Sequence, residues 1–141
     1  MKRIFLSACI LVTAAIVLPH AALAANYVKP DVFKEWLDSG KQLVIVDIQP
    51  ADDFEEQHFK GSIETNAFPA KTDEEKKRID KALSMISASK GDVVVICPRG
   101  KSGASNTYEY LKLKGVPENR LHLLEGGIAG RPYKEAFVTG Q

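Results

Sequence analysis

Cysteine is nearly missing from this chain, with only Cys9 and Cys97 among 141 residues. Cys9 lies in a leader-like segment, so the remainder keeps one thiol, and a disulfide framework is excluded. A charge of one sign is missing too. Nineteen Lys and Arg face 18 Asp and Glu, for a formal net charge of +1. No global field draws in nucleic acid or an anionic membrane, so any cationic role is local. Soft metal ligands are few: outside the leader only His58, His122 and Cys97 remain, which argues against a zinc site. There is no internal repeat and no low-complexity tract, and the only long apolar run is N-terminal.

What is there is ordinary globular material, 45% hydrophobic and 26% charged, of a length that suggests one domain. Residues 1–24 read as a signal peptide, with Lys2 and Arg3 at its start, apolar residues from Ile4 to Leu18, and the cleavage pattern Ala22-Leu23-Ala24. The run falls short of the roughly 20 residues of a comfortable membrane span, although an uncleaved anchor is the competing reading. Leu6-Ser7-Ala8-Cys9 resembles a lipoprotein box but sits too early. The expectation is a periplasmic or secreted domain over residues 25–141, free of the membrane after cleavage, with 17 basic and 18 acidic side chains. In an oxidising compartment a lone thiol is a hazard unless it is buried or used.

The chain is organised around Val93-Val94-Val95-Ile96-Cys97-Pro98-Arg99-Gly100-Lys101-Ser102-Gly103-Ala104. A β-branched run ends in a cysteine, a loop with two cations and two glycines follows, and helix-forming sequence begins. This order places the thiol at the carboxyl end of a buried strand, where open α/β sheets bind ligands. Upstream, Pro30 and Asp31 open a helix that carries Phe33, Trp36 and Leu37 and stops at Gly40. Gln42 to Asp47 lacks alternation and reads as a strand buried on both faces, with Asp47 a cap for nearby backbone N–H groups. Pro50 to Gln57 forms a short helix, His58 fixes a turn through the backbone, and Ile63 to Phe68 forms a short strand. Asp73 to Ser89 is expected to be the longest helix, with Ile79, Ala82, Leu83 and Ile86 as its apolar stripe. After the loop, Ala104 to Lys114 is helical, with Tyr108, Leu111 and Leu113 as apolar contacts. Arg120 to Leu124 is a strand with His122 packed inside it, Gly126-Gly127 borders the thiol, and Ile128 to Val138 makes a weak final helix. Strands alternating with helices mean an α/β fold with a mainly parallel central sheet of about five strands, flanked by helices on both faces.

Cys97 to Ala104 resembles the active-site loop of rhodaneses, the thiosulfate and persulfide sulfurtransferases. Asp47, Phe54, His58, Gly61, Ile63 and Pro69 are similar to the family's upstream signature, and Leu123 to Gly127 to its closing one. The resemblance spans about residues 30–132, and with the signal peptide the chain looks like the small single-domain rhodaneses exported to the bacterial periplasm. It departs in three places. Ile48 and Gln49 stand where the family usually carries an arginine, Lys101 where it commonly has arginine, and Ile128 where tryptophan often follows the glycine pair.

The resemblance implies a Cys97 nucleophile, donor binding by Arg99, Gly100, Lys101, Ser102 and Gly103, and structural support from Asp47, His58, Gly126 and Gly127. The residues suit that chemistry. The thiolate is the reactive form, and an ordinary cysteine is only about a few per cent ionised at neutral pH. A helix N-terminus and glycines that let successive amides curl inward both favour an anion, and Ser102 can cap the helix or donate to sulfur. Arg99 grips an anionic donor in two-point fashion, and Lys101 acts as a point charge. The scheme needs no metal or organic cofactor. Its partners are a small anionic sulfur donor and a cyanide or thiol acceptor, with a protein thiol as a further option and nothing that calls for more than a monomer. It requires a thiol that solvent can reach in the folded chain. Two rivals stand beside it: a sulfur-carrier or sensing module with little turnover, and a cysteine-loop phosphatase. The phosphatase needs an arginine closing a seven-residue loop, at the position of Gly103.

Overall fold

A computed structural model describes residues 24–129 and 136–140. Five strands form one parallel sheet: β1 (Tyr27–Val28), β2 (Leu43–Asp47), β4 (Ile63–Glu64), β5 (Asp92–Ile96) and β6 (Leu121–Leu124). Their spatial order is β1-β6-β5-β2-β4, with all neighbours parallel. The central pair, β5 and β2, is the most apolar, since covered parallel strands bury both faces. In register, Val44 faces Val93, Val46 faces Val95, and Asp47 faces Ile96.

Side chains alternate between two cores. Val44, Val46, Val93, Val95 and Cys97 point to one side, where α4 (Leu83–Ala88) supplies Ile86 and α5 (Ser102–Leu113) supplies Ala104, Tyr108 and Leu111, while α3 (Asp73–Arg78) buries no residue. Ile45, Val94 and Ile96 point to the other, covered by Phe33 of α1 (Pro30–Asp38), with Phe59 and Ile128. Phe33 meets Phe59 edge-on at 5.1 Å, and truncating such a buried ring costs about 3–5 kcal/mol. At the amino ends of the strands His122 packs edge-on against Trp36 and bonds Asp92, while the Lys41 ammonium lies over the Trp36 ring. His122 is thus a packing residue.

Several local expectations are corrected. The helix expected from Asp73 to Ser89 is divided by a 3-10 segment at Ile79–Ala82. Ile79 and Ala82 are both fully buried, and the three-residue turn eclipses them toward the sheet. Among the described residues the longest helix is therefore α5, although its Leu113 is 85% exposed. Arg120 lies in a 3-10 turn before β6, its guanidinium donating to the carbonyls of Ser89 and Gly91. The strand expected from Ile63 to Phe68 stops at Glu64, because Asn66 takes φ 50° and leaves the sheet. At the two ends of the helix expected over Ile128–Val138, a 3-10 turn covers Gly127–Ala129 and β7 (Phe137–Val138) pairs antiparallel with β3 (His58–Phe59). The segment between, which includes Arg131 and Pro132, lies outside the described residues, as do residues 1–23, where a signal peptide is expected.

Candidate active site

Cys97 follows the last residue of β5 and stands at the carboxyl edge of the sheet, next to the end of β2. The chain then reverses through Gly100, at φ 65°, and enters α5 at Ser102. That reversal brings the Gly100 N–H to 2.9 Å from Cys97 Sγ, and it donates to the sulfur. Among the described residues this is the one hydrogen bond the sulfur receives.

The loop rests on the turn after β6. Ile128 N–H donates to the Cys97 carbonyl at 3.0 Å, and Ala129 N–H to the Pro98 carbonyl at 3.2 Å. The approach is so close that only glycines fit. A methyl group on Gly100 would stand 2.6 Å from Gly126 N and 2.7 Å from Gly127 N. One on Gly127, at φ 60°, would overlap the Cys97 carbonyl oxygen and crowd Gly100 N and Arg99 N. Gly126 and Gly127 thus form the floor beneath the thiol's loop, and the loop is held main chain against main chain.

Arg99, Lys101 and Ser102 are exposed on the outer side of the loop, Gly100 is half-buried, and Gly103 is buried. Ser102 does not cap the helix. The N-cap position belongs to Lys101, which makes no side-chain cap bond, and Ser102 is the first helical residue. The expectation of an open thiol is also not met: Cys97 is 1% exposed. The Gly100 amide stands over the sulfur from the loop side, and Cys97 shares a buried core with Ile48, Ala67 and Ala104.

Asp47 and His58 are support elements set apart from the sulfur. Strand alternation turns Asp47 to the face of the sheet opposite Cys97. Its Oδ1 accepts from the Gln49 N–H at 3.0 Å and its Oδ2 from the Gln49 side-chain amide at 3.1 Å. Its backbone carbonyl accepts from both the N–H and the hydroxyl of Thr65. Burial pushes the Asp47 carboxyl up to about 7; the Gln49 bonds oppose this, and the neighbouring Glu64 adds to it. His58 Nδ1 bonds the Phe54 carbonyl at 2.8 Å, and its ring stacks on Phe54 at 3.8 Å.

Two neighbours of the site escape a reading of the sequence. Gln49 is the buried partner of Asp47, and only a buried carboxylate without a cation beside it would signal the need for such a residue. Phe68 leans on Gly103: a methyl group there would stand 2.9 Å from Phe68 Cδ2 and 3.3 Å from Ile48 Cδ1. Its signal is weak, an aromatic at the end of an expected short strand with no alternation to say which way it faces.

A parallel α/β sheet with a single thiol in a glycine-bearing loop at its carboxyl edge defines a cysteine-loop domain. The family model for the rhodanese-like domain matches residues 29–130, and the chain belongs to that family. Among solved structures it is similar to a Saccharomyces cerevisiae protein described as a homolog of single-domain rhodanese and of a phosphatase catalytic domain. That match has TM-score 0.64 and 17% identity over 82% of this chain and 88% of that one. A rhodanese-like domain protein from Staphylococcus aureus matches with TM-score 0.57 and 17% identity, over 82% and 99% of the two chains. An As-Sb reductase from Leishmania major matches with TM-score 0.54 and 21% identity, over 74% of each. No curated protein matches the sequence. The structural likenesses establish the fold, which proteins described as rhodanese-like, phosphatase and reductase share.

Proposed function

We propose that the chain is a sulfurtransferase acting through a Cys97 persulfide. The Cys97 thiolate attacks the outer sulfur of thiosulfate or of an organic persulfide. A new S–S bond forms, the donor's own S–S bond breaks, and sulfite or a thiolate leaves with the electron pair. Cyanide or an acceptor thiolate then takes the terminal sulfur and restores the Cys97 thiolate. Arg99 and Lys101 draw in the anionic donor, and the Gly100 amide stabilises negative charge on sulfur.

The observation that carries this reading is the Gly100 N–H aimed at Cys97 Sγ from a loop whose other side is locked by Gly126 and Gly127. A phosphatase is disfavoured on geometry, since the position of its loop-closing arginine is Gly103, whose side-chain space Phe68 occupies. With the thiol covered, attack requires the outer part of the loop, where Lys101 and Ser102 are exposed, to open while the Gly100 N–H keeps its bond to the sulfur.

Donor treatment of the purified protein should add the mass of one sulfur atom, and Cys97→Ser should abolish the gain. Turnover by the Ser variant would exclude Cys97 as the nucleophile. A thiol in the folded protein that resists iodoacetamide would exclude a persulfide in either role. The covered thiol also favours a second reading, a sulfur carrier that delivers to a partner's thiol. Persulfide formation with negligible turnover on every small acceptor would select it. On either reading, residues 1–24 direct export to the periplasm or the medium, which the N-terminal mass of the secreted protein tests.

A further inference from the structure

The segment 66–70 holds an aromatic ring in solvent beside the cysteine loop. Asn66 and Ala70, neither of them glycine, take φ 50° and 57°, conformations that cost free energy and collect at functional sites. The segment is pinned to the rest of the chain at three points and closed by one bond of its own. Phe68 N–H donates to the Ile48 carbonyl at 2.8 Å, Ala70 N–H to the Ala67 carbonyl at 2.6 Å, Arg78 to the Asn66 carbonyl at 2.8 Å, and Asn106 to the Pro69 carbonyl at 3.1 Å. Ala67 and Ala70 are buried by this arrangement, yet Phe68 between them is 40% exposed. One edge of its ring lies on Gly103 and close to Ile48, which shares a core with Cys97. Gly103 in turn closes the loop that carries Arg99 and Lys101.

We propose that Phe68 is a specificity-determining residue, the apolar wall against which the organic body of the sulfur donor packs. This deepens the sulfur-transfer reading and rests on it. Thiosulfate is a small, fully hydrated anion that the two cations can bind alone, and it gains nothing from a phenyl face. An organic persulfide with a carboxylate can use both surfaces: its carboxylate meets Arg99 or Lys101, and its carbon skeleton and sulfur lie against the ring. The substrate class is therefore a carboxylate-bearing organic persulfide. Cys97 takes its outer sulfur, and the organic thiolate leaves.

The test compares glutathione persulfide with thiosulfate as donors, cyanide being the acceptor, in the wild type, Phe68→Ala, Phe68→Leu and Phe68→Tyr. Covering the exposed part of the ring is worth about tenfold in affinity. Phe68→Ala should lower the ratio of kcat/KM for glutathione persulfide over that for thiosulfate by about tenfold, through KM. Phe68→Leu, which keeps apolar volume without the flat face, should fall between, and Phe68→Tyr should restore the ratio. Equal losses on both donors, or none, would overturn the proposal. Its fate is separable from that of the enzymatic reading by calorimetry with the unreactive S-methylglutathione on the Cys97→Ser protein. Adding Phe68→Ala there should weaken binding by about tenfold, whether or not the wild type turns over. Equal binding by the two proteins would refute a role for the ring.

Discussion

Replacing Asp47 with asparagine should flatten the pH dependence of stability. The Asp47 side chain is fully buried with Gln49, an uncharged residue, as the partner of its carboxylate, and its pKa rises from 3.8 to about 7. Burial is the largest cause. Below pH 3.8 the carboxyl is protonated in both folded and unfolded chains, and its contribution to stability is fully present. Between 3.8 and about 7 the unfolded chain releases the proton while the folded one keeps it, so stability falls as pH rises. Above about 7 both are ionised and the loss is complete. At 1.36 kcal/mol per pH unit this amounts to about 4 kcal/mol, a large share of a domain's usual ~5–15 kcal/mol. The asparagine side chain would keep the bond to the Gln49 N–H. Its amide nitrogen would face the Gln49 amide, which must turn over and give up the Gln57 carbonyl, at about 1 kcal/mol. The variant should be about 1 kcal/mol weaker than wild type at pH 4 and about 3 kcal/mol stronger at pH 8. Urea unfolding of both proteins across this range measures the crossing. Parallel stability profiles would refute the argument.

Gly127→Ala should destabilise the chain by about 3 kcal/mol or more and abolish sulfur transfer, because the added methyl overlaps the Cys97 carbonyl. Urea midpoints and donor-induced mass gain measure both effects, and a stable, active variant would mean that the floor and the loop are not in contact. Arg99→Ala and Lys101→Ala should each raise the KM for thiosulfate by about tenfold at low salt, with a smaller effect at about 1 M salt. A KM unchanged in both variants would remove the cations from donor binding.

The sheet's centre is legible because Val93–Ile96 and Leu43–Val46 are unbroken apolar runs too short for helices. The cysteine loop is legible because its glycines, cations and thiol are contiguous in sequence. The parts that escape depend on partners far along the chain. The strands at His58–Phe59 and Phe137–Val138 are two residues each, too short for any periodicity, and exist only because they pair. The 3-10 break at Ile79–Ala82 follows from the sheet beneath it and from no residue that disfavours helix. Leu113 shows the reverse error. It is apolar and helical, but two positions beyond Leu111 it has turned away from the core. The seating of the cysteine loop depends on a backbone contact with Gly126 and Gly127, which an order of residues does not display.

The contact between the cysteine loop and the turn after β6 is peptide backbone on both sides, with no side chain that mutation could enlarge, shrink or recharge. Adaptation to a new substrate is thereby steered to the rim, where Arg99, Lys101, Ser102 and Phe68 are open to replacement. Transplanting the eight-residue cysteine loop into a related scaffold would succeed only if the Gly126-Gly127 corner moved with it.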